Sequence, residues 1–318
     1  DWQKTSAGNE HTLAIKQDGT LWAWGKGGDG RLGLSNSTSY SSPKQVGALT
    51  DWDTPIATNE SSLCLKTDGT LWTWGKNGDG ELGLGDTSDR NSPVQVGALT
   101  TWTQAGSTAQ GSGAIKTDGT LWVWGYNNYG QLGVGNTTNY SSPVQVGALT
   151  DWSNVQGGAY SMYAVKTDGT LWAWGRNASG RLGDGSTTDR SSPVQIGALT
   201  SWAKVGGGGS AAHAIKTDGT LWGWGDGGYG QLGVGNTTAY SSPVQVGALT
   251  DWSLLNRGAE HVDAIKTDGT FWNWGYYLAL GQGAATINLS SPTQLGALTT
   301  WGAVPIGNLS NNSVSLKN

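Results

Sequence analysis

Few side chains in this 318-residue chain could do chemistry: three histidines, one cysteine and a scatter of carboxylates. His11, His213 and His261 are candidate bases, but nucleophilic catalysis needs a base beside an activated hydroxyl. No Gly-x-Ser-x-Gly elbow on a strand-to-helix turn accompanies them. His11 and His261 stand next to Glu10 and Glu260, a set that would make at most a weak metal site if the chain brought its two ends together; local backbone capping accounts for the same residues. The run Asn77-Gly78-Asp79-Gly80-Glu81 has the flavour of a calcium loop. It lacks the bidentate carboxylate at the twelfth position, so it reads as glycine-turn chemistry. Cys64 stands where sibling segments carry Ala14, Ala114 and Ala164, the place of a small core residue. Nothing cradles a phosphate. The sequence therefore predicts no enzyme, no catalytic or metal-ligating residue and no cofactor.

The elements that would position such residues are repeated. Asp1-Trp2, Asp51-Trp52, Thr101-Trp102, Asp151-Trp152, Ser201-Trp202 and Asp251-Trp252 recur at a spacing of fifty, and Thr300-Trp301 follows one residue early. The repeats are 1–50, 51–100, 101–150, 151–200, 201–250 and 251–299, with a partial repeat at 300–318. All 19 tryptophans fall on this lattice, in the opening pairs or in segments such as Leu21-Trp22-Ala23-Trp24-Gly25. Each unit reads as four short strands: one at Pro43–Val46, one from Trp2, one at Leu13–Lys16 and one at Leu21–Gly25. Asp18-Gly19 between the last two suits a tight primed hairpin turn. No segment keeps a 3.6-residue period for ten residues, so helical solenoids are excluded. A four-stranded unit of this size buries its faces only by stacking on neighbours. The predicted fold is all-β: a single-domain β-propeller of four-stranded blades over 1–318.

Composition agrees. The chain holds 53 glycines but only one phenylalanine and one methionine, which is neither collagen-like nor the aromatic-poor make-up of disorder. Net charge is −5 with 13% charged residues, and no basic patch marks a nucleic-acid binder. No apolar run is long enough to cross a bilayer. A single cysteine excludes an intrachain disulfide framework. The opening Asp1-Trp2-Gln3 has neither an initiator methionine nor a signal peptide and reads as a processed or trimmed start.

The string from His11 to Gly25, His-Thr-Leu-Ala-Ile-Lys-Gln-Asp-Gly-Thr-Leu-Trp-Ala-Trp-Gly, resembles the regulator-of-chromosome-condensation repeat family. Gly-Gln-Leu-Gly at 130–133 and 230–233 strengthens the resemblance, which spans essentially the whole chain. It implies a seven-bladed propeller and says little about function, since the family includes nucleotide exchange factors, a secreted β-lactamase inhibitor and bacterial and bacteriophage surface proteins. The chain departs from the exchange factors: it has no basic N-terminal tail or inserted wedge, and the Gly-x-x-His histidine survives only as His11 and His261. Its regular wording looks more like the bacterial and phage relatives. The resemblance thus implies a secreted or virion-surface module that recognises a protein or a glycan. The alternatives are a purely architectural decoration or fibre domain and an intracellular exchange-factor-like regulator.

Repeat identity is broken in two segments, residues 9–13 and 26–29 with their equivalents. The Gly-Ala-Leu-Thr and Thr-Asp-Gly-Thr turns hardly change. Because antiparallel strands alternate direction, both variable segments fall at one end of the blades and both invariant turns at the other. The candidate recognition surface is the variable end, with Glu10, His11, Glu60, Tyr129, Tyr160, Tyr163, Tyr229, Glu260 and His261 as its contact residues. Strand types two and three occur seven times and types one and four six times. That count predicts seven blades, the one at 292–318 lacking a fourth strand and the first lacking its strand one. Trimmed residues before Asp1, or a neighbouring chain, would complete the ring. The alternative is a closed six-bladed ring with the terminal segment strapped outside.

Overall fold

The structure, a computed structural model, describes residues 1–280, 287–299, 301–303 and 316–317. Each fifty-residue repeat folds into one antiparallel sheet. In the first, β1 (Trp2–Ala7), β2 (His11–Lys16), β3 (Leu21–Gly25) and β4 (Tyr40–Gln45) pair in chain order. Five further sheets repeat that order, so the described residues form six four-stranded blades. The first strands of successive blades touch one another, which makes β1 and its counterparts the inner wall and β4 the exposed outer edge.

The expected count of seven blades is corrected to the alternative of six. Among the described residues the partial repeat contributes a two-stranded sheet, Trp301–Ala303 with Leu316–Lys317; the rest of its two expected strands, 304–307 and 314–315, lies outside the described residues. The little sheet touches His261–Lys266 of the sixth blade on one side and β1 on the other. The expected missing strand of the first blade is also corrected. The segment around Pro43 does not open the next blade; it folds back on its own, with Trp22 opposite Gln45 and Gly25 opposite Tyr40. The long 26–39 loop reverses the chain between them, and repeats and blades coincide.

The hairpin between β2 and β3 differs from the primed two-residue turn. Lys16 N donates to Thr20 O across a three-residue loop, and Gly19 alone takes the left-handed conformation at φ 77°. That is the type I turn plus left-handed residue of three-residue hairpins. A side chain at Gly19 would lie 1.9 Å from Thr50 O, so glycine is required. The Asp18 carboxylate accepts from Thr20 N and Oγ1, and Thr20 Oγ1 accepts from Trp22 Nε1. The same chain of bonds recurs in all six blades.

Blades are latched by the Gly-x-Leu-Gly tetrapeptides. The carbonyl of Arg31 accepts from Trp74 Nε1 at 2.9 Å, and Glu81, Gln131, Arg181 and Gln231 do the same for Trp124, Trp174, Trp224 and Trp274. Gly33 packs on the Trp74 ring, where a Cβ would stand 2.9 Å from Nε1. Trp74, Trp124, Trp174, Trp224 and Trp274 are fully buried. The two tryptophans of one strand are thus unequal. Trp122 and Trp172 are only half-buried and cover the ammonium groups of Lys116 and Lys166.

Candidate functional site

The variable and invariant turns separate as alternation requires. Lys26 N donates to Glu10 O at 2.8 Å, so the 8–10 turn and the 26–39 loop share one end of the blade. Trp52 N donates to Gly19 O, which joins the two invariant turns at the other. The variable end is stiff: in the third blade the Asn127 amide donates to Asn136 O and Thr138 O, and its oxygen accepts from Leu132 N. Asn77 and Asn177 play the same part in the second and fourth.

The variable stretch 9–13 is only partly surface. Its turn ends at residue 10, and residues 11–13 already belong to β2. Tyr163, His11 and His261 were expected on the recognition surface and are instead buried. Tyr163 is 1% exposed; its hydroxyl donates to Arg181 O at 2.7 Å and its ring packs edge-on to Trp224. Cross-strand pairs explain why this stretch varies. Leu13 faces Ala23, Gly113 faces Val123, Tyr163 faces Ala173 and His213 faces Gly223. A Cβ on Gly223 would lie 2.8 Å from His213 Nε2, and one on Gly113 the same distance from Met162 Cε. Variation here trades volume across the sheet inside a close-packed core.

His11 is held by its own neighbourhood. Ser62 Oγ donates to Arg31 O at 2.8 Å, so the 2.9 Å contact of His11 Nε2 with Ser62 Oγ has the imidazole as donor. Its Nδ1 is buried with no partner. Burial, helped by the nearby Arg31 cation, pushes the His11 pKa down to about 3. His261 lies 3.5 Å from Asp263 in the sixth blade. Among the described residues no group of three or more His, Cys, Asp and Glu side chains converges. In the calcium-like run, the Glu81 carboxylate accepts from Asp79 N and burial raises its pKa. Cys64 is buried and its thiol is pushed up by that burial.

What remains at the surface is uneven around the ring. At the first two blades, Arg31 is 1% exposed and reaches Asp29 at 3.0 Å, Glu10 at 3.4 Å and Glu60 at 3.6 Å. Lys26 and Lys76 also pair with Glu10 and Glu60, and the Lys26 bond draws the Glu10 pKa down. The acidity expected of Glu10 and Glu60 is thus largely neutralised. Glu260 is half-buried beside the Tyr276 backbone, whose N–H donates to Glu260 O. At the third and fourth blades the character changes. Tyr129 and Tyr160 stand 5.2 Å apart, Tyr126 joins both, and the Arg176 guanidinium lies 4.9 Å over Tyr129. Tyr229, 38% exposed, meets Tyr276 at 5.1 Å, and Tyr277 extends that group. Sequence reasoning singled out Tyr129, Tyr160 and Tyr229 but passed over Tyr126, Arg176, Tyr276 and Tyr277. Tyr126 and Arg176 sit in the 26–29 equivalents already seen to vary, so the signal was available.

Family models for the regulator of chromosome condensation (RCC1) repeat match residues 18–56, 68–115, 118–165, 168–215 and 218–265, and a second such model matches 2–31. Among solved structures, human WBSCR16 superimposes with a TM-score of 0.85 at 21% identity, over 97% of this chain and 85% of that one. Prp20p from Saccharomyces cerevisiae, from a study of its binding to Gsp1p and histones, gives 0.83 at 19%, over 100% and 83%. Yeast RCC1 (Prp20) in the structure with Kap60 gives 0.84 at 19%, over 100% and 80%.

Proposed function

We propose, for a chain that belongs to the regulator of chromosome condensation (RCC1) repeat family, that it is a non-enzymatic binding module whose variable end seats a protein. One observation carries the reading. The tyrosines that break the repeat gather into two clusters on the end where both variable loops emerge, while the opposite end repeats nearly unchanged. Tyrosine and arginine supply large, rigid contact area at small entropic cost, the make-up of interface hot spots. The rings of Tyr126, Tyr129 and Tyr160 are tilted by 55–64° to one another and offer no flat platform, which favours protein side chains over a stacked sugar. The relatives' protein partners, Kap60 among them, point the same way. Display at an extracellular or virion surface belongs to the same reading and rests on the sequence resemblance alone.

The test uses the partner retained by the immobilised propeller from its native source and then purified. Tyr129→Ala, Tyr160→Ala and Tyr229→Ala combined are expected to weaken its Kd at least about 100-fold, the effect of removing several hot spots. The thermal midpoint should stay unchanged. Binding that survives these changes, or that is lost instead on altering the Thr-Asp-Gly-Thr turns, overturns the assignment.

A further inference from the structure

The invariant end is not fully uniform. In every repeat the lysine closing the second strand lies against two tryptophans: Lys66 over Trp52 and Trp72, Lys116 over Trp102 and Trp122, Lys166 over Trp152 and Trp172. In the second, fourth and sixth blades an aspartate completes the arrangement. Lys66 meets Asp51 at 3.2 Å, Lys166 meets Asp151 at 3.4 Å and Lys266 meets Asp251 at 3.6 Å. The third blade has Thr101 in that place. Among the described residues no carboxylate lies within ion-pair distance of Lys116, whose Nζ is 3.6 Å from the Trp122 ring centre.

A groove of 510 Å³ between the second and third blades opens at this point. Its walls include Leu84, Val94, Leu99, Trp122 and Pro143, and Lys116 lines it. The corresponding groove between the third and fourth blades, of 410 Å³, has the same walls, Leu149, Trp172 and Pro193, but Lys166 is turned to Asp151 and does not line it. Lys166 is buried, whereas Lys116 is half-buried and lines the groove. The fifth blade also lacks the aspartate, having Ser201, and its Lys216 lies 3.7 Å from the Trp222 ring centre in the same way; in the first blade Lys16 lies 3.8 Å from that of Trp22.

We infer that the groove between the second and third blades binds a small apolar carboxylate, its hydrocarbon part between Leu99, Trp122 and Pro143 and its carboxylate on Lys116. The volume fits a small organic ligand, and a few polar groups in an apolar wall are the usual make-up of such sites. An ammonium has three donors, and the ring face of Trp122 satisfies none of them as a carboxylate would. The other charges facing the groove do not compete. Arg90 lines it but pairs with Asp86 at 2.6 Å. Asp118 pulls on Lys116 from its own strand end, with its Oδ1 already taken by Thr120 N and Oγ1. Desolvation lowers the Lys116 pKa, as expected for a cation that lacks its counter-ion. None of the clustered tyrosines lines this groove, so the contact with Lys116 does not depend on the proposed protein partner.

The test is calorimetric titration with 3-phenylpropionate and, as neutral control, 3-phenylpropionamide. The carboxylate is expected to bind at least about tenfold more tightly than the amide, as for a desolvated charge-assisted contact. Thr101→Asp should abolish that preference by giving Lys116 the partner its siblings have. The fold should tolerate this change: the backbone of Thr101 accepts from Thr117 N just as Asp51 accepts from Thr67 N. Lys116→Met should also remove the preference while keeping the stem. Equal binding of acid and amide, no binding of either, or a Thr101→Asp variant with an unchanged thermal midpoint that binds as the parent does would overturn the inference.

Discussion

Acid sensitivity can be worked out for one residue, His11. Its imidazole is buried, donates from Nε2 to Ser62, and leaves Nδ1 in a space bounded by Gly8 with no acceptor for a second proton. The folded pKa is about 3, below the ordinary value of 6.5. The sign follows from proton uptake. Between these values the unfolded chain binds a proton that the folded chain refuses, so stability falls as pH drops below 6.5. The full slope is about 1.4 kcal/mol per pH unit for one group. From pH 7 to pH 4.5 the His11 contribution to the loss is therefore about 2.5 kcal/mol. Carboxylates begin to titrate in the same range, so the informative quantity is the difference from His11→Gln. Urea unfolding of both proteins at half-unit steps between pH 7 and pH 4.5 measures it. The parent should lose about 2.5 kcal/mol more than the variant across that range. Parallel stability curves would refute the reasoning, since they would mean that the imidazole protonates as freely in the fold as outside it.

Other substitutions follow from the blade latch and the core. Trp174→Ala should destabilise by about 3–5 kcal/mol in denaturant unfolding, while Trp172→Ala, half-buried, should cost about half as much; equal losses would contradict the unequal burial. Gly133→Ala should cost about 2–5 kcal/mol, because its φ is +72° and a Cβ would stand 2.6 Å from Trp174 Nε1; a thermal midpoint within a degree of the parent would refute it. Tyr163→Phe should cost about 2 kcal/mol, since the Arg181 carbonyl keeps its bond from Trp224 Nε1 but the buried Ser161 hydroxyl loses its 3.0 Å partner; a loss under about 0.5 kcal/mol would refute it.

The propeller was legible because fifty-residue self-similarity, the Trp-x-Trp strands and the Asp-Gly turns each demand the same stacked hairpins. The separation of variable and invariant turns was legible too, since it follows from strand alternation alone. Two features were not. The strand at Pro43 reads equally well as the opening of one blade or the close of another, and only its pairing with β3 decides; from that ambiguity came the expectation of a first blade lacking a strand and of seven blades. Burial at residues 11–13 was also hidden. Variation looks the same in sequence whether it faces solvent or, as at Tyr163 opposite Ala173, trades volume across a sheet. The Glu10–Arg31–Glu60 ion pairs join side chains from two repeats, a contact that no spacing within one repeat displays.

The central claim is that the variable end is the surface that meets a partner. Amide hydrogen exchange of the propeller, free and with its purified partner bound, tests it directly, because the loops at the two ends belong to separate peptides. Protection is predicted at 126–131, 158–160, 176–181 and 226–231, with the Thr-Asp-Gly-Thr turns at 117–120, 167–170 and 217–220 exchanging as in the free protein. Protection confined to those invariant turns, with the tyrosine-bearing loops unchanged, would contradict the account.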